Sequence, residues 1–242
     1  MLSLLVVALN AAVRQGLLAG NPATRATAPQ RRDSGELHTW SGAELHTFLD
    51  TVREDRLFSL WRLLAMTGAR RGEGVGLKWT DVDFVGARIH IQRTRVLAGW
   101  QVLEHPPKTR AGRRAVPLDA ATVAALRAWK ARQATEKLAW GAAWQDGGWV
   151  FTREDGRPLH PGAVTKLFYA GVARAGVPRI RLHDLRHTSA TLALAGGMHP
   201  KVVQERLGHA TISQTLDTYS HTTPSLHEEA AARLAAIVDG EG

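Results

Sequence analysis

Four residues near the end of the chain have the clearest potential for chemistry. His183 and Arg186 lie three residues apart in His-Asp-Leu-Arg-His. His209 follows in Leu-Gly-His, and Tyr219 follows in Asp-Thr-Tyr-Ser-His. Side chains three apart share a helix face, and arginine binds phosphate through two parallel hydrogen bonds. This set indicates a site that handles a phosphate group, with a potential nucleophile at its end. For His183 and Arg186 alone, a mixed polar surface helix is the alternative.

A second cationic motif lies far upstream, in Thr-Gly-Ala-Arg-Arg-Gly-Glu. Arg70 follows a glycine that is expected to end a helix, where its side chain can face a cleft. Arg71 can take the same role. Glu73 lies three residues after Arg70 and can hold its guanidinium by an ion pair. A solvated pair of arginines and an ordinary helical ion pair are the alternatives.

Lys108 lies in a basic stretch, Pro-Pro-Lys-Thr-Arg-Ala-Gly-Arg-Arg, that precedes a predicted strand. Its proline and glycine residues predict a hairpin loop that presents cations to a DNA backbone. A solvated charged turn is the alternative. We expect DNA-backbone contacts from four arginines: Arg71, Arg110, Arg113 and Arg114.

Tyr219 is preceded by Thr-Ile-Ser-Gln, a capping-box pattern that predicts a short helix around it. A phenol has a pKa of about 10 and is a poor nucleophile near neutral pH. Cationic neighbours favour the phenolate and make attack on phosphorus feasible. The other tyrosine, Tyr169, resembles a half-buried helix residue, and a packing role is the alternative for Tyr219 as well.

His183 and His187 are four residues apart, a spacing that zinc sites use. No nearby carboxylate or cysteine convincingly completes a ligand set, and Arg186 between the histidines would repel a cation. We therefore predict no metal site. Bound zinc or manganese would instead indicate a metal-dependent hydrolase.

The composition bounds the class of protein. The 242 residues carry a net charge of +9 and contain no cysteine. A basic chain favours a polyanionic partner, and without cysteine there are no disulfides or thiolate sites. No apolar stretch reaches the roughly 20 residues that span a bilayer, and the apolar start lacks the basic segment of a signal peptide. We expect a cytoplasmic protein with no membrane association.

The elements that position these residues follow from hydrophobic periodicity and turn signals. A helical period covers residues 2–18. A capping box from Ser41 begins a second region, and residues 57–66 predict a buried helix that ends at Gly68. Residues 82–118 alternate and predict an antiparallel sheet of about three strands. The rest is mainly helical, so we predict a mainly helical α+β fold.

The motifs are weak alone, but their order resembles that of tyrosine recombinases, the phage-integrase family. The resemblance covers about residues 36–226 and includes matches outside the site, such as Leu-Lys-Trp before Asp81 and Val-Pro-Leu ending at Leu118. A type IB topoisomerase uses similar chemistry, but these local motifs match recombinases better.

The resemblance implies a role for each proton-transfer residue. Tyr219 would attack the scissile phosphate and form a 3′-phosphotyrosyl link. His183 would assist proton transfer at the nucleophile, and Lys108 would protonate the leaving 5′-oxygen. Because the covalent link conserves the bond energy, no cofactor is expected.

The resemblance also implies how charge on the phosphate is neutralised. Arg70 and Arg186 would neutralise the non-bridging oxygens, and His209 would donate a hydrogen bond to the same phosphate. Donors pre-placed at a developing oxyanion are usually the largest catalytic contribution.

Members of this family resemble a two-domain clamp on double-stranded DNA. Residues 1–20 look like only the last helix of the core-binding domain, residues 21–35 a linker, and residues 36–242 the catalytic domain. Most of the first domain is missing by this comparison. A truncated, catalytically inactive DNA-binding remnant is therefore the alternative function.

The C-terminal segment 225–238 has apolar residues at helical spacing. In the family such a helix often docks on a neighbouring protomer, which implies a homo-oligomer, a tetramer on paired sites. Packing onto its own domain is the alternative.

Overall fold

A computed structural model describes residues 2–26, 38–107 and 110–212. The chain divides into two compact units, residues 1–37 and residues 38–242. The predicted three-part domain division stays a prediction. Within the described ranges, no helix combines the length and apolar character that crossing a membrane requires.

The first unit contains one helix, α1 (Leu2–Arg14), within its described residues. The predicted helix was four residues too long, because Gly16 has a φ of 74° and turns the chain out of the helix. The predicted linker begins with a single 3-10 turn, Pro22–Arg25. This turn forms because the Asn21 side chain accepts a 2.9 Å hydrogen bond from the backbone N–H of Ala23.

The described part of the second unit is mainly helical, as predicted. Its helices are α2 (Gly42–Thr51), α3 (Phe58–Thr67), α4 (Arg71–Val75), α5 (Ala120–Trp140), α6 (Pro161–Ala175), α7 (Asp184–Ala195) and α8 (Pro200–Leu207). The capping box predicted at Ser41 is present at the start of α2. Helix α3 is buried along most of its length and packs against both α5 and α7. It is therefore the central helix of this unit.

The strands are β1 (Val82–Asp83), β2 (Arg88–Ile91), β3 (Thr94–Ala98), β4 (Gln101–His105) and β5 (Arg114–Pro117). The antiparallel order β1-β2-β5 confirms the predicted three-stranded sheet. Ile89 pairs with both Val82 and Val116 across this sheet. The buried Ile89 and Val116 side chains attach the sheet to the core.

A separate two-stranded hairpin, β3-β4, was not predicted. Its side chains are mostly exposed, and Trp100 at its turn is fully exposed. The hairpin therefore lacks the alternation of buried and exposed residues that reveals a strand in sequence. Gly99, with a φ of 59°, permits the tight turn.

Four buried aromatic rings form the centre of the core between α2, α3 and α6. Phe168 lies 5.9 Å from Trp40, 5.4 Å from Phe48 and 5.9 Å from Trp61, measured between ring centroids. The backbone N–H of Trp40 also donates to the hydroxyl of Thr188 at 3.1 Å, which ties α7 to this cluster. The core thus fixes the helices whose ends carry the predicted site residues.

Replacing Phe168 by alanine is expected to lower the free energy of unfolding by about 3 to 5 kcal/mol, because the ring is fully buried among three others. Chemical denaturation followed by tryptophan fluorescence measures the change. Leu138, which is 83% exposed, is the control, and Leu138→Ala should change stability by less than about 0.5 kcal/mol. Equal losses for the two variants would show that Phe168 does not belong to the core.

Candidate active site

Arg70 is held at the turn between α3 and α4 by Glu73. Its backbone N–H donates to Glu73 Oε2 at 2.8 Å, and its Nη1 donates to Glu73 Oε1 at 2.9 Å. The Glu73 side chain is 3% exposed, whereas that of Arg70 is 43% exposed. The ion pair predicted from sequence is present, and it presents the Arg70 guanidinium to solvent.

Glu73 stays ionised although it is buried. Burial raises the pKa of this carboxyl, but the hydrogen bond and charge of Arg114 and the contacts with Arg70 outweigh burial, so the pKa lies below its usual value. One buried carboxylate therefore anchors two arginines.

Arg186, in the first turn of α7, is buried and only 3% exposed. Its Nη1 donates to the carbonyl oxygen of Gly68 at 2.8 Å, and its Nη2 donates to the carbonyl oxygen of Leu207 at 2.7 Å. Gly68 closes α3 and Leu207 ends α8. Arg186 thus joins the ends of two helices.

His183 lies one residue before the start of α7, so the prediction that it shares the helix with Arg186 needs this correction. Its backbone is helical, with φ −69° and ψ −28°, and its carbonyl accepts from the Arg186 backbone N–H at 3.1 Å. Its ring meets that of His187 edge-on, with centroids 5.1 Å apart. Burial, then the charges of Arg186 and Arg70, lower the pKa of His183.

His209 follows Gly208, whose left-handed backbone (φ 69°) ends α8. The His209 backbone N–H donates to the Gln204 carbonyl at 3.1 Å, and the Gln204 amide donates back to the His209 carbonyl at 3.1 Å. Burial, then the charges of Arg186 and Arg70, lower the pKa of His209 to about 4. The two hydrogen bonds with Gln204 therefore fix the turn. The His209 imidazole is neutral at pH 7.

Four of the predicted residues form one cluster. Arg70 and His183 border the same cleft, and Arg186 bonds the Leu207 carbonyl two residues before His209. The charges of Arg70 and Arg186 both lower the pKa of His183 and of His209. Two fixed cations beside two neutral imidazoles suit an anion, since bound negative charge is neutralised by the arginines and met by imidazole N–H donors.

A cleft of about 380 Å³ opens beside Arg70 and His183. Arg71 borders it and donates from Nη1 to the hydroxyl of Thr165 at 2.6 Å. Arg95 also borders the cleft, with its guanidinium 4.8 Å from the ring centroid of Trp149. Arg95 was not among the residues predicted from sequence, because it lies on the unpredicted hairpin β3-β4. These cations extend the positive surface beyond the cluster.

Arg114 was predicted to contact the DNA backbone, but its side chain is buried and paired with Glu73. Its side chain is 6% exposed and its Nη2 donates to Glu73 Oε2 at 2.9 Å. A signal for this burial exists in the sequence, because Arg114 is two residues before the buried Val116 and so shares its face of β5. Arg113 is exposed, as a backbone contact requires.

Several predicted residues lie outside the described part of the chain. They are Lys108, Tyr219, the side chain of Arg110 and the segment 225–238. The described residues include no group of three or more histidines and carboxylates that can hold a metal ion.

A family model and several known proteins match most of this chain. The Phage integrase family matches residues 41–225. The "Tyrosine recombinase XerC-like" protein of Caldanaerobacter subterraneus is 33% identical over 93% of this chain and 62% of its own length. Tyrosine recombinase XerC of Mycobacterium sp. (strain KMS) is 34% identical over 94% of this chain and 70% of its own length. The ICEBs1 integrase of Bacillus subtilis is 26% identical, and this chain spans 53% of it.

Solved structures share the fold of this chain, which is mainly helical α+β with small antiparallel sheets. The Tn1549 transposon integrase in complex with a circular intermediate DNA superposes with a TM-score of 0.75 at 22% identity, over 95% of this chain and 76% of that chain. The XerA recombinase superposes with a TM-score of 0.64 at 24% identity, over 85% of this chain and 66% of that chain. The predicted fold class is confirmed.

The depressed pKa of His209 predicts how its signal titrates in a histidine-labelled NMR sample. The imidazole should remain neutral from pH 8 to about pH 5, with a midpoint near 4. Between about pH 4 and 6.5 the unfolded chain binds more protons at this residue than the folded chain, so its contribution to stability falls as pH falls. The control is the urea-unfolded chain, where histidine titrates near 6.5. A folded-state midpoint of 6.5 would show that His209 is not buried beside the arginines.

Proposed function

This chain belongs to the phage integrase family, the tyrosine recombinases, and from that premise we propose that it cleaves and rejoins DNA strands through a 3′-phosphotyrosine intermediate. The observation that carries the proposal is the cluster of Arg70, Arg186, His183 and His209. A site that cleaves a phosphodiester needs positive charge and hydrogen-bond donors around the phosphorus atom. This cluster supplies both.

The two arginines differ in how they serve a phosphate. Arg70, anchored by Glu73 and 43% exposed, is placed to bond a non-bridging oxygen directly. Arg186 is buried, so its charge acts through a poorly screened medium in which Coulomb interactions are stronger than in water. Together they replace the metal ions that other phosphoryl-transfer enzymes use.

The two histidines are suited to different tasks by the same lowered pKa. A neutral imidazole has one N–H donor and one accepting nitrogen. His209 uses its donor on a non-bridging oxygen, and His183 uses its acceptor to take the proton of the nucleophile. A histidine that was already protonated at pH 7 would have no acceptor for that proton.

In the cleavage step the Tyr219 oxygen bonds to phosphorus as the bond to the 5′-oxygen breaks. The phenol proton passes to His183, and Lys108 gives a proton to the departing 5′-oxygen. The products are a 3′-phosphotyrosyl link and a free 5′-hydroxyl, and religation runs the same transfers in reverse. The roles of Tyr219 and Lys108 in this scheme rest on the family resemblance.

The partner in this proposal is double-stranded DNA. The described residues proposed to contact phosphates are Arg71, which is half-buried at the border of the cleft, and Arg113, which is exposed. Arg110 is also proposed to contact a DNA phosphate. The segment 225–238 is proposed to join protomers into a tetramer on paired sites. The chain spans 62% of the length of the Caldanaerobacter relative. Binding without cleavage would favour the alternative function, in which the chain only binds DNA.

Replacing Tyr219 by phenylalanine should abolish covalent DNA adducts and change DNA affinity less than about twofold, since only a hydroxyl is lost. The substrate is a pool of nicked duplexes, in which a short fragment diffuses away after cleavage and religation stops. Adducts are counted after denaturation in SDS. The matched control is Tyr169→Phe, the only other tyrosine in the sequence, which should keep its adducts. Adducts that persist in Tyr219→Phe would refute this nucleophile.

Replacing Arg70 by lysine should slow single-turnover cleavage by roughly 100-fold, because lysine cannot bond both Glu73 and the phosphate as a planar fork. Quenched-flow or manual time courses at saturating protein measure the rate constant. Arg53→Lys alters an exposed pair with Asp50 on the same unit and should leave the rate within about twofold. Equal rates for Arg70→Lys and the wild-type chain would show that Arg70 does not take part in cleavage.

A further inference from the structure

Arg114 makes contacts that its position in a basic loop does not suggest. Its Nη1 and Nη2 donate to the two carboxylate oxygens of Glu73 at 3.2 and 2.9 Å. Its Nε donates to the carbonyl oxygen of Arg206 at 2.6 Å, and Nη1 also donates to the carbonyl oxygen of Gly112 at 3.1 Å. One buried guanidinium therefore bonds two distant segments of the chain and the turn just before it.

The two distant segments lead to the cluster. Glu73 holds Arg70 through two hydrogen bonds. The Arg206 carbonyl belongs to the last turn of α8, three residues before His209.

The fit around Arg114 is close. A Cβ added to Gly208 would lie 2.8 Å from the Ala111 carbonyl oxygen and 3.0 Å from Arg114 Nη1. The end of α8 and the turn before β5 are therefore packed together with no space for a side chain, and the guanidinium fills the gap between them.

We infer that Arg114 is a positioning residue, which fixes Arg70 and His209 relative to one another by bonding Glu73 and the end of α8 at the same time. This inference rests on the proposed function, since it assigns Arg114 to the cleavage step. The residue acts through Glu73 and through the α8 carbonyl, and it does not touch the DNA.

The geometry explains why arginine is needed at this position. The planar guanidinium directs donors to a carboxylate and to backbone carbonyls at the same time, whereas the ammonium of lysine is a single point of charge. Lysine keeps the charge opposite Glu73 but cannot bond both distant segments and the turn at once. A shift of about 1 Å in a catalytic group slows a reaction by roughly 100-fold, so the loss should appear in the chemical step.

The test compares Arg114→Lys with Arg56→Lys. Arg56 is a matched control because it also bonds both oxygens of a carboxylate, Glu136, at 2.7 and 2.6 Å, and one backbone carbonyl, that of Thr152, at 2.7 Å. Its side chain is 15% exposed, and the pair joins the start of α3 to α5. Both variants lose a similar buried interaction, and only one loses it beside the cluster.

Single-turnover cleavage is measured on the duplex recovered from the nicked pool, with each variant equally far below its own Tm. Arg114→Lys should cleave roughly 10- to 100-fold more slowly at saturating protein, whereas Arg56→Lys should stay within about twofold of the wild-type rate. Equal losses in both variants, or an unchanged rate in Arg114→Lys, would overturn the inference.

DNA binding separates positioning from a phosphate contact. Because lysine keeps the charge, this measurement uses Arg114→Gln, and the slope of log Kd against log salt should be the same for this variant and the wild-type chain. A slope smaller by about 1 would show that Arg114 binds a DNA phosphate, and would also overturn the inference.

A readout without cleavage keeps the inference testable if the wild-type chain forms no adduct and the proposed function fails. In histidine-labelled protein, Arg114→Lys should shift the NMR signal of the His209 imidazole, and Arg56→Lys should not. Should Arg114→Lys not fold, Glu73→Gln is the second variant, since it weakens the Arg114 bonds while keeping the shape of the side chain. A His209 signal that stays in place in the folded variant would overturn the positioning role.

Discussion

A buried guanidinium between two helix ends is the interaction on which the rest of the site depends. The last carbonyls of a helix have no partner within it and carry the negative end of the helix dipole. Arg186 donates to such carbonyls at the ends of both α3 and α8. The chain continues two residues from each of these carbonyls to Arg70 and to His209, so this side chain joins the two segments that carry a cation and an imidazole.

The electrostatic character of the cluster follows from that arrangement. Two arginines, Arg70 and Arg114, contact Glu73, whose pKa lies below its usual value. Burial, together with the charges of Arg186 and Arg70, lowers the pKa values of His183 and His209 and favours their neutral forms. The site is therefore prepared for a ligand that brings negative charge, and a phosphodiester bound there would raise the pKa of both histidines. In the proposed reaction, phosphate binding would therefore favour the transfer of a proton to these histidines.

Much of this architecture is predictable from sequence, for identifiable reasons. The capping box at Ser41, the buried helix ending at Gly68 and the three-stranded sheet have local signals that the tertiary structure preserves. The exposed hairpin β3-β4 has no such signal. The burial of Arg114 depends on which face of β5 packs on the core. Arg114 shares that face with Val116, but the basic residues around it favoured an exposed loop. Roles assigned to Lys108 and Tyr219 stay predictions, since these residues lie outside the described ranges.

The most direct test of this account is to identify the amino acid that becomes joined to DNA. The wild-type chain is incubated with nicked duplexes, denatured and digested with nuclease and protease, and its peptides are analysed by mass spectrometry. The account predicts a single modified peptide that carries a nucleotide joined through its 3′-phosphate to Tyr219. A folded chain that binds DNA without any such peptide, or a nucleotide on a different residue, would contradict it.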